Sequence, residues 1–83
     1  MAYNIQYKKS VGKDLARIGK PEARRLLDKI EKDLSTHPDR HPMLQGPLAG
    51  LRKMRVGDYR VIYALLDNDV LILRIGNRRD VYK

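Results

Sequence analysis

Apolar residues change their spacing along this chain, and each change marks an element. Tyr3, Ile5 and Tyr7 alternate with polar neighbours, which predicts a first strand over residues 2–7. Val11, Leu15 and Ile18 then fall at i, i+4 and i+7, the spacing of a short helix, with Ser10 placed to cap it and Gly19 to end it. Pro21 suits the first turn of a second helix. There Ala23, Leu26, Leu27, Ile30 and Leu34 form one stripe, while Arg24, Arg25, Asp28, Lys29, Glu31 and Lys32 occupy the rest. So short a link makes the two helices a hairpin. Pro38 closes the second helix, and residues 35–50, rich in Pro and Gly, read as a loop.

Strands are predicted next over residues 51–56, 59–66 and 69–76, with Gly57-Asp58 and Asp67-Asn68 as two-residue turns. The order β-α-α-β-β-β predicts an α+β fold, with the helical hairpin packed on one face of an antiparallel sheet. Eighty-three residues predict one small domain over 1–83.

The turns set the faces. Alternation puts Lys53 and Arg55 on one side of their strand, and the Gly57-Asp58 turn places Arg55 opposite Arg60. One face should then carry Leu51, Lys53, Arg55, Arg60, Ile62, Ala64, Leu71, Leu73 and Ile75. The other should carry Arg52, Met54, Val56, Tyr59, Val61, Tyr63, Leu65, Val70, Ile72 and Arg74. Both are rich in apolar residues, so the pattern does not say which one the helices cover. A slip of one residue would break the grouping. Like charges facing each other across a ladder destabilise it, and a phosphate is the obvious compensator.

Composition points to the same partner. Eighteen Lys and Arg against ten Asp and Glu give a formal charge of +8, a balance that attracts polyanions. The excess sits at the two ends. Residues 1–20 hold five basic groups to one acidic, residues 21–50 are balanced, and residues 51–83 hold eight to four. Cysteine is absent, which excludes a disulfide framework and thiolate chemistry. His37 and His41 lie in the proline-rich loop with no third ligand nearby, so neither metal nor cofactor is expected. No signal peptide or membrane-length apolar run is visible, so the expected location is cytoplasmic, with no membrane partner.

The run Arg55-Val56-Gly57-Asp58-Tyr59-Arg60-Val61-Ile62-Tyr63 resembles the signature of RelE/ParE-type toxins of bacterial and archaeal toxin–antitoxin modules. The later Gly76-Asn77-Arg78-Arg79-Asp80-Val81-Tyr82 resembles their closing motif, and Leu48-Ala49-Gly50-Leu51 before a basic strand fits as well. This resemblance covers essentially the whole chain. It implies a compact α+β toxin held inactive by a cognate acidic antitoxin, monomeric when free and of higher order in the complex. In the RelE branch the implied activity is cleavage of mRNA in the ribosomal A site. In the ParE branch it is poisoning of DNA gyrase on nearly the same scaffold.

The residues favour RNA cleavage. Metal-free cleavage needs a base for the 2′-OH, cations for the pentavalent phosphate, a donor for the 5′-oxygen and a grip on the nucleotide. No His lies in a predicted strand and no Glu follows Glu31, which leaves Lys53, beside two arginines, as the best base. Arg55 and Arg60 would bind the scissile phosphate. By its place in the family motif, Arg78 would stabilise the transition state or protonate the leaving group, and Tyr82 would stack on a base. Arg52 and Arg79 are candidate substrate-binding residues. Two positions depart from the RelE pattern: Leu51 stands where a second lysine is common, and Asn77 where His or Lys is common.

Plainer readings stand beside these. The three cations could form a solvated sheet face, and Tyr59 and Tyr63 suit a core better than a stacking platform. The chain could also be a gyrase inhibitor without nuclease chemistry, or an inactive antitoxin-binding member.

Overall fold

A computed structural model describes residues 3–77. Strand β1 (Asn4–Tyr7) leads into helix α1 (Lys9–Ile18), and helix α2 (Lys20–Leu34) follows after the single residue Gly19. Gly19 has φ +100°, a value open to glycine and strained for other residues, which lets one residue separate two helices. Pro21 lies in the first turn of α2, as expected. Ser10 does not cap α1. The helix begins at Lys9 without a side-chain cap, and the Ser10 hydroxyl donates to the Leu73 carbonyl at 3.0 Å.

After a loop with a 3-10 turn at Gly46–Leu48 come β2 (Arg52–Val56), β3 (Tyr59–Leu66) and β4 (Asp69–Asn77). The predicted turns at Gly57-Asp58 and Asp67-Asn68 both form, with Gly57 at φ +59° and Asp67 at φ +55°. Strand order is β1-β4-β3-β2. The sheet is mixed, which corrects the expectation of an antiparallel one: β1 runs parallel to β4, from Asn4 opposite Asp69 to Tyr7 opposite Ile72. Alternating residues report which side of a strand is buried and carry no signal for its partner's direction. The helical hairpin supplies the crossover that a parallel pair needs.

The core lies between the helices and one sheet face. Val11, Leu26, Ile30 and Leu34 from the helices meet Met54, Val61, Tyr63, Val70, Ile72 and Ile75 from the strands. Alternation then turns Lys53, Arg55, Arg60 and Ile62 to the opposite face.

Ile75 corrects the predicted faces. The β3–β4 ladder slips between Ile62 and Tyr63: Tyr63 pairs with Ile72, but Ile62 pairs with Arg74. Leu73 is the extra residue of a bulge, and every later side chain of β4 changes side. Ile75 therefore enters the core opposite Val61, at 1% exposure. Arg74, expected beside Val70 and Ile72, instead takes the register position opposite Ile62.

Beyond the end of β1, helix α1 takes over the outer edge of β4. The Lys8 N–H donates to the Ile72 carbonyl at 2.9 Å, and Ser10 reaches Leu73. The Asp14 carboxylate, only 6% exposed, accepts from the Ile75 N–H at 3.0 Å and from Arg74 Nε at 3.2 Å. A bulge leaves backbone groups outside the ladder, and α1 supplies partners to those at this edge.

Candidate nucleic-acid site on the sheet face away from the helices

Two rows of side chains cross the sheet here. In the first, Lys53 of β2 stands opposite Ile62 of β3, which stands opposite Arg74 of β4. In the second, Arg55 stands opposite Arg60, which stands opposite Gly76. The expected pairing of Arg55 with Arg60 is present, with Lys53 two residues before Arg55 on the same side. Arg55 is exposed, while Lys53 and Arg60 are half-buried. Ile62 is 3% exposed, so the floor between the cations is apolar and covered.

Arg74 is the residue that sequence reasoning missed. The bulge carries it from the core side to the end of the Lys53 row, where Asp14 fixes one nitrogen of its guanidinium. Its one signal in the sequence was a charge among Val70, Ile72 and other apolar positions, where alternation alone would have buried it. Gly76 adds no side chain, so the Arg55–Arg60 row opens toward β4. At that end, between α1 and the helix side of the strands, a cleft is lined by Asp14, Arg17, Ile18, Tyr59, Arg74, Ile75, Gly76 and Asn77. Arg78, Arg79 and Tyr82 lie outside the described residues.

Arg52 is engaged elsewhere. It stands opposite Tyr63, and its guanidinium donates to the carbonyls of His41, at 2.8 Å, and Asp39, at 3.3 Å. These bonds press the loop after α2 onto the edge of β2. Leu44 N–H donates to Leu51 O at 2.8 Å, and Lys53 N–H to Pro42 O at 3.2 Å. His41 lies 3.0 Å from Asp33 and edge-on to the Tyr63 ring. Tyr63 itself is fully buried and donates its hydroxyl to the Pro38 carbonyl. Burial pushes its phenol up to about 12. Both Tyr59 and Tyr63 belong to the core or pack against it, as their plainer reading had it. The backbone that carries Lys53 is thereby held from both edges.

Chemically, the arrangement offers an amine and two guanidinium groups around a dry floor. Such a surface can bind a phosphodiester from one side and leave its other side open. Among the described residues no group of His, Cys, Asp and Glu is clustered to hold a metal ion.

The comparisons bear on the family and the fold. A family model described as the ParE toxin of the type II toxin–antitoxin system parDE matches residues 5–82. The toxin–antitoxin complex RelBE2 of Mycobacterium tuberculosis contains a chain with 29% identity and a TM-score of 0.88, covering 96% of this chain and 95% of that one. The archaeal RelE–RelB complex of Pyrococcus horikoshii OT3 contains one with 31% identity and a TM-score of 0.66, covering 98% and 100%. Toxin RelE of E. coli in the free state shares the fold at a TM-score of 0.77, with 20% identity and coverage of 99% and 90%. No curated protein matches the sequence significantly.

Proposed function

This chain belongs to the ParE toxin family of type II toxin–antitoxin systems, within the RelE/ParE superfamily, and from that premise we propose that it is a ribosome-dependent mRNA endoribonuclease. The observation that carries this reading is the register of β2 on β3, which gathers Lys53, Arg55 and Arg60 on the face the helices leave uncovered.

Lys53 takes the proton from the 2′-OH of the nucleotide 5′ to the cut. The oxygen attacks the adjacent phosphorus, and the bond to the 5′-oxygen breaks in line. Arg55 and Arg60 hold the non-bridging oxygens and the charge that develops on them. Arg78 stabilises that state or delivers the proton to the departing 5′-oxygen, and Tyr82 stacks on a base. The products are a 2′,3′-cyclic phosphate and a 5′-OH, and inhibition of translation follows from loss of the message. Arg79 contacts substrate phosphates. Arg52 acts on the substrate indirectly, by fixing the strand that carries Lys53.

RelBE2 and the Pyrococcus RelE–RelB complex are toxins bound to antitoxins. A cognate acidic antitoxin is the corresponding partner here. Opposite charge speeds its association, and apolar anchors supply its affinity. The working location is the cytoplasm, where ribosomes and message are found.

Primer extension on mRNA in a purified translation system with stalled ribosomes tests the reading. Discrete A-site cuts are expected from the wild type and none from Arg60→Ala. A second reading, inhibition of DNA gyrase without nuclease chemistry, draws on the ParE family match. Intact mRNA from a chain that arrests growth would sink the nuclease reading. Inhibition of purified gyrase that survives Lys53→Ala would establish the second.

A further inference from the structure

The positive charge of the first twenty residues lies off the Lys53 face of the sheet, and of it only Arg17 reaches the cleft between α1 and β4. Helix α1 carries Lys9, Lys13 and Arg17 at i, i+4 and i+8, all exposed, with Lys8 before it and Lys20 after it. Successive members lie about 6 Å apart along the helix axis. Asp14, the helix's one acid, is turned inward onto Arg74 and the Ile75 N–H and leaves the outer face a single sign. The neighbouring helix differs. On α2, Arg25 pairs with Glu22 at 3.2 Å, and acids alternate with bases along the exposed side.

Local physics works against α1 in three ways. Like charges at i, i+4 repel on a helix surface. Lys8 and Lys9 stand at the N-terminus, where the dipole disfavours cations, and the first turn has no acid. Gly12 weakens the middle of the helix relative to alanine. A Cβ added at Gly12 meets nothing within 4 Å, so packing inside the protein does not demand glycine there. Local rules broken without an internal gain point to a functional surface.

The composition of the face narrows the occupant. Gly12 and Ala16 are exposed, at i+3 and i+7 from Lys9, and lie side by side on one flank of the cations. The face is thus a cationic ridge beside a low strip, without a large apolar side chain. A protein partner draws its affinity from buried aromatic or aliphatic anchors. A phosphate backbone needs only cations and close approach. No Asn or Gln occurs between residues 8 and 20 to read base edges.

We propose that the outer face of α1, formed by Lys9, Gly12, Lys13, Ala16 and Arg17 with Lys20 beside it, docks the sugar-phosphate backbone of a nucleic-acid duplex without reading its sequence. The three helix cations neutralise successive phosphates, and Gly12 lets the helix backbone lie close to the strand. This surface is on the helix side of the sheet, away from Lys53, so a duplex held on α1 leaves the proposed cleavage face open to single-stranded RNA. The proposal goes beyond the nuclease reading, and its test requires no cleavage.

Fluorescence anisotropy tests it with a blunt RNA duplex of about 20 base pairs, longer than the ~16 that a small duplex-binding domain spans. A DNA duplex of the same sequence runs in parallel. The triple variant Lys9→Gln/Lys13→Gln/Arg17→Gln is expected to bind the RNA duplex at least about tenfold more weakly at near-physiological salt, and to lower the slope of log Kd against log salt by about 3. The charge-matched control on α2, Arg24→Gln/Lys29→Gln/Lys32→Gln, is expected to stay within about threefold of wild type, since those cations sit among acids. Gly12→Gln leaves the charge unchanged. It should raise the thermal midpoint and still weaken duplex binding. Matching losses on the DNA duplex identify the shared backbone as the ligand, and losses on RNA alone identify the A-form duplex. Equal losses from the α1 and α2 triples, or undiminished duplex binding by Gly12→Gln, overturn the proposal. So does an α1 triple that binds duplex normally but loses its antitoxin, which would give the face to a protein.

Discussion

The carboxylate of Asp14 holds Arg74 at 3.2 Å and, with the same oxygen, the backbone N–H of Ile75 at 3.0 Å. One buried acid on α1 thus fixes both residues that follow the bulge in β4. Asp14→Ala leaves the Ile75 N–H without this acceptor and is expected to cost about 1–3 kcal/mol. Asp14→Asn keeps a carbonyl oxygen and should cost less. Urea unfolding of the two variants measures the difference, and equal stability of Asp14→Ala and wild type would show that the contact does not hold the bulge.

Deleting Leu73 asks whether the bulge sets the two faces. Without it β4 would continue in simple alternation, turning Ile75 out of the core and Arg74 into it. A buried charge and a lost core side chain together exceed about 4 kcal/mol, a large part of what a small domain has. The deletion variant is expected not to fold, as read by far-ultraviolet circular dichroism. A native spectrum with a cooperative melt would show that β4 re-registers at little cost.

Arg55 should separate stability from activity. It is exposed and stands opposite Arg60, a like-charge pair across the ladder. Arg55→Gln is expected to raise the unfolding free energy by about 0.2–1 kcal/mol and to reduce mRNA cleavage at least about tenfold. Melting curves and primer extension on one preparation decide it. A variant that is both less stable and fully active would reverse the assignment.

Tyr63 gives the fold an alkaline limit. Burial pushes its phenol up to about 12, against an ordinary value of about 10 in the unfolded chain. The folded state therefore keeps this proton to higher pH than the unfolded state does. The stability linked to it is complete below about pH 10 and is lost as pH rises through 12. Tyr7 adds to the same decline, its phenol raised to about 12 by burial first and by Glu31 second. Tyr63→Phe loses the hydrogen bond to Pro38 and should cost about 1 kcal/mol at neutral pH. It should also flatten the fall in stability between pH 10 and 12. An unchanged slope in denaturation curves across that range would remove Tyr63 as the cause.

Arg52 is expected to act on the loop. Its bonds to the Asp39 and His41 carbonyls are made by one guanidinium nitrogen. Arg52→Ala should lower stability by about 1–2 kcal/mol and speed amide exchange at Leu44 and Lys53, whose N–H groups bridge loop and strand. Unchanged protection at those two amides would detach Arg52 from the loop.

Both helices, the glycine between them, the three C-terminal strands and their turns were legible in the sequence, because each follows from spacing or from a residue with a particular backbone preference. Gly19, Pro21 and Gly57 acted where their φ preferences place them. The pairing of Arg55 with Arg60 followed from turn length alone. Ser10 was misread, since a residue fit to cap a helix is equally fit to bond a strand brought beside it. What the tertiary structure decided was long-range. Strand β1 is parallel to β4, and alternation says nothing about a partner's direction. Leu73 bulges out of the ladder because Ser10 and Asp14, 63 and 61 residues away from Leu73 and Ile75, satisfy the backbone there. Sequence spacing fixes where a side chain points along its own strand. It is the packing of α1 against β4 that changes that direction midway, and so places Ile75 in the core and Arg74 in the row with Lys53.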